Sequence, residues 1–131
     1  MKVTAKPFRL DRILKIREHQ RDLRRQALSF IEEEHLACLD ELRRFDEQLR
    51  EHCLLWRKAQ NAASIDTNQL VLFSQTQDRL LRERRQKEKE LAEIQTRLTE
   101  ARTLFDEAVR EVRVLEKLKE KKAEENRGDD R

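Results

Sequence analysis

His35 and Cys38 lie one helical turn apart, the best spacing that this sequence offers for holding a metal ion. A structural zinc site takes four ligands, and no second pair of ligand residues lies nearby. The other histidines, His19 and His52, are far away along the chain, and the single glycine, Gly128, cannot build a phosphate-binding loop. We therefore expect no metal, no cofactor and no enzymatic activity.

A basic run at 82–89 is the pattern closest to a nucleic-acid-binding element. Its cations are interleaved with Glu83 and Glu88, which is typical of a solvated helix face with internal ion pairs. The run contains no aromatic residue on which bases would stack. We expect neither nucleic acid nor a small molecule as a partner. A nucleic-acid-binding helix stays open as an alternative, which steep salt-dependent binding to DNA would favour.

Composition restricts the fold that positions these residues. Of 131 residues, 44% are charged and 37% hydrophobic, with one glycine and one proline. So few turn-forming residues exclude a multi-strand sheet or a layered α/β domain. No apolar run approaches the roughly 18 residues of a membrane span, and we find no apolar stretch typical of a secretory signal. Cys38 and Cys53 fall within helical patterns, as expected of reduced thiols in a cytosolic protein.

The second half of the chain carries apolar residues at alternating steps of three and four. This spacing averages about 3.5 residues, the period of a coiled-coil seam, and so narrow a stripe is buried only against another helix. The predicted seam of this helix comprises Leu70, Phe73, Leu80, Leu91, Ile94, Leu98, Ala101, Phe105, Ala108, Val112 and Leu115.

The first half of the chain supplies the partner helix. Its predicted seam keeps the same rhythm but changes phase once, which predicts a stutter near 31–38 with local unwinding. Before the stutter the predicted seam comprises Ile13, Ile16, Gln20, Leu23, Ala27 and Phe30. After the stutter it comprises Cys38, Leu42, Phe45, Leu49 and Trp56.

Capping signals predict the helix boundaries. Asp66 and Gln69 have the spacing of a capping box, so a helix begins near residue 66. Proline is tolerated in a first helical turn and poorly later, which places the start of the first helix between Pro7 and Asp11. The predicted organisation is an N-terminal extension (1–7), a hairpin (8–122) with helices at about 8–60 and 66–122 and a turn at 61–65, and a disordered tail (123–131).

Charge patterning favours a hairpin over one continuous helix. A turn near 63–64 sets residue i opposite about residue 127 − i, so the acidic stretch 32–51 faces the basic run 79–89. Opposite charges beside a seam select the orientation of the partner helix, whereas a parallel homodimer would set like charges side by side. The sequence therefore predicts an all-α fold, a long two-helix antiparallel coiled-coil hairpin.

The same fold-back brings two seam cations, Arg84 and Lys87, close to acids of the first helix. The acids predicted to lie nearest are Asp40 and Glu41. Such a polar layer fixes the register of the pair at some cost in stability.

Two surfaces are interaction candidates. Near the turn there are more large apolar residues than a two-helix seam covers, which predicts a docking patch. This group comprises Leu42, Phe45, Leu49, Leu54, Leu55, Trp56, Val71, Leu72 and Phe73. At the opposite end cations outnumber acids on the first helix, which suits an acidic partner. The cations there are Arg9, Arg12, Lys15, Arg17, Arg21, Arg24, Arg25, Arg113, Lys117, Lys119, Lys121 and Lys122.

Both ends of the chain resemble a known family. The segment from Phe8 to Glu18, FRLDRILKIRE, is similar to the opening of the flagellar export protein FliJ family. The segment from Val114 to Lys122, VLEKLKEKK, resembles the closing segment of that family. The chain length, the long-helix pattern and the scarcity of cysteine and glycine also agree with the family across almost the whole chain.

The resemblance implies a non-enzymatic stalk protein of flagellar type III protein export, and so of motility. It implies an antiparallel coiled coil whose paired termini enter the hexameric export ATPase. Its other implied partners are the cytosolic domain of the export-gate membrane protein and the export chaperones. The implied location is the cytoplasm, peripherally associated with the cytoplasmic face of the inner membrane at the flagellar base.

The resemblance also assigns residues to these contacts. The residues implied to bind the ATPase are Arg9, Arg12, Lys15, Arg113 and Lys117. The residues implied to bind the export gate, as an exposed turn-proximal surface, are Leu42, Phe45, Leu49 and Phe73. Two alternatives stay open: the equivalent stalk protein of an injectisome, and a structural coiled-coil tether that forms homodimers.

Overall fold

The computed structural model describes residues 5–62 and 65–129, with side chains described for 9–62 and 65–128. Helix α1 spans Ala5–Asn61 and helix α2 spans Thr67–Asp129. The two helices pack against each other, and the described ranges contain no strand. The predicted all-α helical hairpin is confirmed.

A short non-helical segment separates the helices. The amide of Ala62 donates to the carbonyl of Lys58 at 3.1 Å and closes the last turn of α1. The amide of Leu70 donates to the carbonyl of Asp66 at 3.2 Å and opens α2. Asp66 therefore occupies the cap position that its spacing from Gln69 predicts. Part of the predicted turn, 61–65, lies outside the described residues.

Helix α1 begins earlier than predicted. Its first residue is Ala5, not residue 8, so Pro7 lies inside the first turn. A proline is tolerated there because the first amides of a helix have no acceptor within the helix. The predicted N-terminal extension, 1–7, is therefore helical from Ala5 onward, and residues 1–4 lie outside the described part of the chain.

Helix α2 continues through most of the segment predicted to be disordered. The prediction of a disordered tail at 123–131 is wrong as far as Asp129, where α2 ends. Four residues just past 122 are strong helix formers, namely Ala123, Glu124, Glu125 and Arg127. Ala123 is also half-buried. Residues 130–131 lie outside the described residues.

The hairpin divides into two compact units, which we describe separately. The turn unit is Glu33–Thr96, and the end unit combines Met1–Glu32 with Arg97–Arg131. Within each unit the helices are antiparallel, because the numbers of cross-helix partners add to nearly the same value throughout. Examples are Asp11 with Lys119 in the end unit and Asp46 with Arg84 in the turn unit.

The seam of the turn unit follows the predicted phase on both helices. Its buried residues are Cys38, Leu42 and Leu80. Its half-buried apolar residues include Phe45, Leu49, Trp56, Phe73, Leu91 and Ile94. The prediction is wrong for Leu70, which is 44% exposed. Phe73, one turn later in α2, makes the contact with α1 instead.

The seam of the end unit is correctly predicted on α2. Its buried residues there are Leu98, Ala101, Ala108 and Val112. Val112 is the most deeply buried of them, with 2% of its surface exposed. On α1 the buried residues are Leu10 and Leu14, and these were not in the predicted seam.

The predicted α1 seam of the end unit is therefore wrong in phase. Four of its members are largely solvent-exposed: Ile13 (45%), Ile16 (53%), Leu23 (50%) and Phe30 (62%). Steps of three and four that run back from Cys38 reach Leu10 without interruption, so the predicted stutter near 31–38 is not required. These steps pass through His35, Ile31, Leu28, Arg24, Arg21, Arg17 and Leu14.

Arginines occupy the centre of this α1 seam, which explains the wrong prediction. Arg17 and Arg21 are half-buried there. Ala108 of α2 lines the same groove as Arg17 and Arg24, and its small side chain leaves room for long arginine stems. Arginine packs its methylene groups along apolar surface while its charged head reaches water. These positions can therefore belong to the seam although their residue type is not apolar.

Candidate functional site

The surface of the end unit carries five cations that the FliJ resemblance assigns to ATPase binding. All five side chains, those of Arg9, Arg12, Lys15, Arg113 and Lys117, are exposed. Among the described residues, none of the five forms an ion pair. Their charges are therefore available to a partner.

Other cations of the end unit bind across the seam. Lys119 Nζ lies 2.7 Å from Asp11 Oδ1, and Arg17 Nη1 lies 3.3 Å from Glu111 Oε2. The hydrogen bond from Lys119 to Asp11 is the main reason that the pKa of Lys119 is raised. These pairs join α1 to α2. Lys119 and Arg17 thus have a structural role, unlike the five exposed cations above.

The α1 part of the end unit carries the excess positive charge. Residues 9–32 contain seven Lys or Arg against four Asp or Glu. Two of those acids are already paired, Asp11 with Lys119 and Asp22 with Arg21. An exposed surface with this charge balance attracts acidic partners and accelerates their encounter with it.

A groove runs along one side of the end unit, between the two helices. Its volume is about 430 Å³, and it is lined on α1 by Arg17, Gln20, Leu23, Arg24 and Ala27. On α2 the lining residues are Leu104, Glu107, Ala108 and Glu111. Sequence reasoning placed Leu23 and Ala27 in the seam and so missed this surface. The uninterrupted phase from Cys38 back to Leu10 is the signal that reveals it.

The four residues predicted to form an exposed export-gate surface belong to the seam instead. Leu42 is buried, and Phe45, Leu49 and Phe73 are half-buried. That prediction is wrong because these residues continue the three-and-four rhythm that faces the opposite helix.

Phe73 is held by an aromatic cluster on α1. The ring of Trp56 meets that of Phe73 edge-on with centroids 5.0 Å apart, and the ring of His52 is 5.2 Å away. His52 Nε2 donates a hydrogen bond to the carbonyl oxygen of Phe73 at 2.9 Å. The cluster fastens the start of α2 to α1, so it has a structural role.

The apolar residues left exposed near the turn are different ones. Leu54 and Leu55 of α1 are 51% and 57% exposed. Val71 and Leu72 of α2 are 49% and 61% exposed. All four were in the larger group of turn-proximal apolar residues that the sequence predicts to form a docking patch. They are therefore the members of that group available to a partner.

The predicted polar layer forms with one change of partner. Lys87 pairs with Glu41, as predicted, and also with Glu90 at 3.0 Å. Arg84 Nε donates to Asp46 Oδ1 at 2.7 Å, so Arg84 pairs with neither of the two acids, Asp40 and Glu41, that the sequence predicted to lie nearest. Asp40 instead pairs with a neighbour on its own helix, three residues away.

Hydrogen bonding sets the ionisation of this layer. Two hydrogen bonds raise the pKa of Lys87: the larger effect comes from the one it donates to Glu41, and the smaller from the one to Glu90. The hydrogen bond to Asp46 likewise raises the pKa of Arg84. Both cations therefore stay charged at any physiological pH, and the layer is a fixed ionic contact.

The two cysteines lie in different surroundings. Cys38 is buried, and its Sγ donates to the carbonyl of Lys87 at 3.6 Å. Burial raises the pKa of the Cys38 thiol, which keeps it protonated. Cys53 is exposed, and both thiols are free. His35 and Cys38 thus sit at the helix seam, where packing accounts for their positions.

No protein-family model, curated protein or solved structure matches this chain. In the described part of the chain, no helix has a stretch apolar and long enough to cross a membrane.

Proposed function

We propose that this chain is a non-enzymatic central-stalk component of the flagellar type III protein export apparatus. The observation that carries the proposal is a set of five exposed cations near the paired helix ends, none with an ion-pair partner among the described residues: Arg9, Arg12, Lys15, Arg113 and Lys117. The resemblance of both ends of the chain to the FliJ family supplies the identity of the partner, the hexameric export ATPase.

The proposed mechanism is binding without chemistry. The paired helix ends enter the ring, and their exposed cations suit acids on its inner surface, which would both speed the encounter and fix the orientation. The ion pairs Asp11–Lys119 and Arg17–Glu111 hold the two helix ends together during insertion. The stalk then acts in protein transport by coupling the ATPase to the rest of the apparatus.

The turn unit is proposed to contact the cytosolic domain of the export gate. Exposed apolar side chains near the turn, Leu54, Leu55 and Leu72, offer the surface for this contact. Export chaperones are proposed as further partners. The proposed location is the cytoplasm, against the cytoplasmic face of the inner membrane at the flagellar base.

The ATPase contact is tested by reversing two free charges, Arg12→Glu together with Arg113→Glu. The matched control is Arg85→Glu with Lys89→Glu, because these exposed cations of the turn unit also lack an ion-pair partner among the described residues. Both double variants change net charge equally. Binding to the flagellar export ATPase of the same organism, and stimulation of its ATP hydrolysis, are the measurements.

We expect the end-unit variant to lose on the order of tenfold or more in affinity for the ATPase, while the control binds as the wild type does. Circular dichroism should show that both variants remain helical. Unchanged stimulation by Arg12→Glu/Arg113→Glu, or equal loss in the control, refutes the assignment. The proposal also predicts that neighbouring genes encode an export ATPase and flagellar basal-body proteins.

The gate contact has a separate test. Leu55→Glu with Leu72→Glu should weaken binding to the cytosolic domain of the export gate, because both side chains are more than half exposed. Leu36→Glu, at a residue 66% exposed on α1, is the control. Equal binding by the double variant and the control excludes this surface as the gate contact.

A further inference from the structure

Helix α1 of the end unit carries a second apolar stripe outside the seam. This outer stripe comprises Ile13, Ile16, Leu23, Ala27 and Phe30, with Gln20 in the remaining position. Its four large residues are between 45% and 62% exposed. Single exposed apolar residues are ordinary on a protein surface, but a continuous row at steps of three and four is not. The stripe therefore needs an explanation other than chance exposure.

The outer stripe opens onto the groove of the end unit. Leu23 and Ala27 form one wall of the groove, and Leu104 of α2, itself 40% exposed, lies on the other wall. A groove between two parallel or antiparallel helices, with apolar residues from both, has the shape that receives a third helix.

The axial repeat of the stripe favours a helical occupant. Its side chains recur about every 5 Å along α1, a repeat that one face of a second helix shares. Side chains on one face of a strand recur about every 6.6 Å and fall out of step with the stripe. From Ile13 to Phe30 the stripe is about 25 Å long, which corresponds to roughly five helical turns in the partner.

The charges beside the stripe select the chemistry of that helix. Arg12 and Lys15 immediately precede stripe residues, and Arg24 immediately follows one. The one acid in such a position, Asp22 before Leu23, is paired with Arg21. None of the three cations forms an ion pair among the described residues. On the opposite wall Glu107 is exposed, so the uncompensated positive charge lies on the α1 side. A second copy of this chain would bring its own cations against these, which disfavours self-association through the stripe.

We infer that the outer stripe and groove of the end unit bind an amphipathic helix of another protein, with acidic residues along the edge that faces α1. The apolar face of that helix contacts Ile16, Leu23 and Phe30 and the α2 wall at Leu104. Its acids pair with Arg12, Lys15 and Arg24. The two proposals share Arg12 and Lys15, but the apolar contacts at Leu23 and Phe30 belong to this one alone, so variants of those residues test it separately from the proposed function.

The probe is a labelled synthetic helical peptide of about 20 residues, with leucine at heptad positions a and d and glutamate along one flank. A matched peptide carries lysine in place of each glutamate. Binding to the full-length chain is measured by fluorescence anisotropy. The variants are Leu23→Glu and Phe30→Glu, and the control is Leu54→Glu, because Leu54 is 51% exposed and Leu23 is 50% exposed.

We expect the acidic peptide to bind at least about tenfold more tightly than the lysine peptide. Leu23→Glu and Phe30→Glu should each weaken that binding on the order of tenfold, and Leu54→Glu should leave it unchanged. Equal binding of both peptides, no binding, or equal loss in Leu54→Glu overturns the inference. Self-association of the free chain that Leu23→Glu abolishes also overturns it, because the occupant is then a second copy.

Discussion

Two neighbouring residues of α1, Ile13 and Leu14, give the sharpest test of the seam described above. Leu14 is 7% exposed and Ile13 is 45% exposed. The single variants Ile13→Ala and Leu14→Ala remove side chains of similar size, one from an exposed position and the other from a buried one. If the seam runs through Leu14, the two variants must differ strongly in stability.

The size of the difference follows from burial. A buried leucine truncated to alanine costs about 2–5 kcal/mol, and we expect the lower end because a cavity in a two-helix seam opens to solvent. At Ile13 the removed atoms are already half in water. Alanine is also the better helix former, which offsets part of the remaining loss. We therefore expect Ile13→Ala to change the free energy of unfolding by no more than about 0.5 kcal/mol.

Urea unfolding followed by circular dichroism measures both variants. With a urea m-value of about 2 kcal/mol per molar, a loss of about 2 kcal/mol lowers the midpoint by roughly 1 M. Leu10→Ala and Ile16→Ala repeat the comparison one turn away, since Leu10 is 8% and Ile16 53% exposed. If Ile13→Ala destabilises as much as Leu14→Ala, the seam follows Ile13, Ile16 and Leu23 after all, and the outer stripe does not exist.

Three further outcomes are expected in the turn unit. The carboxylates of Glu41 and Glu90 stabilise the charged form of Lys87 in the folded state and so raise its pKa. The stability difference between wild type and Lys87→Met should therefore stay constant from neutral pH up to about 10.4, the pKa of an unperturbed lysine, and shrink above it. Phe73→Ala should shift the fluorescence of Trp56, the only tryptophan, to longer wavelength as water reaches its ring. In the native protein Cys53 should react with a thiol reagent much faster than Cys38, since Cys53 is exposed and Cys38 buried.

Each of these outcomes has a contrary result. A stability difference for Lys87→Met that shrinks already between pH 7 and 9 would mean that Lys87 is not held by its carboxylate partners. An unchanged Trp56 spectrum would contradict the edge-on contact with Phe73. Equal reaction rates of Cys38 and Cys53, with Cys53→Ser used to isolate Cys38, would contradict the burial of the Cys38 thiol.

The α2 seam was predictable because apolar residues occupy most of its positions, with the cations Arg84 and Lys87 as the charged exceptions. From Phe73 to Leu115 each predicted seam residue is buried or half-buried. The charge pattern also predicted the antiparallel pairing, and the contact of Lys87 with Glu41 confirms that register. Periodicity and charge alone therefore sufficed for the fold.

The α1 seam of the end unit was not predictable from apolar residues alone. Isoleucine, leucine and phenylalanine lie on the exposed stripe, while Arg17 and Arg21 lie in the seam. Burial in this part of α1 depends on which residues face α2, and Arg17 faces it because its guanidinium pairs with the carboxylate of Glu111. The wrong phase also concealed the groove, because it placed Leu23 and Ala27 in the seam and not on the exposed groove wall.

The polar layer of the turn unit also has a mechanical consequence. Sliding α2 by one heptad along α1 would put Leu39 or Cys53 opposite Arg84 in place of Asp46. Arg84 would then face an apolar or thiol side chain and lose its cross-helix partner, keeping only Glu88 on its own helix. The cross-helix pairs of Arg84 and Lys87 therefore favour this register over one shifted by a heptad, and they resist sliding of α2 along α1.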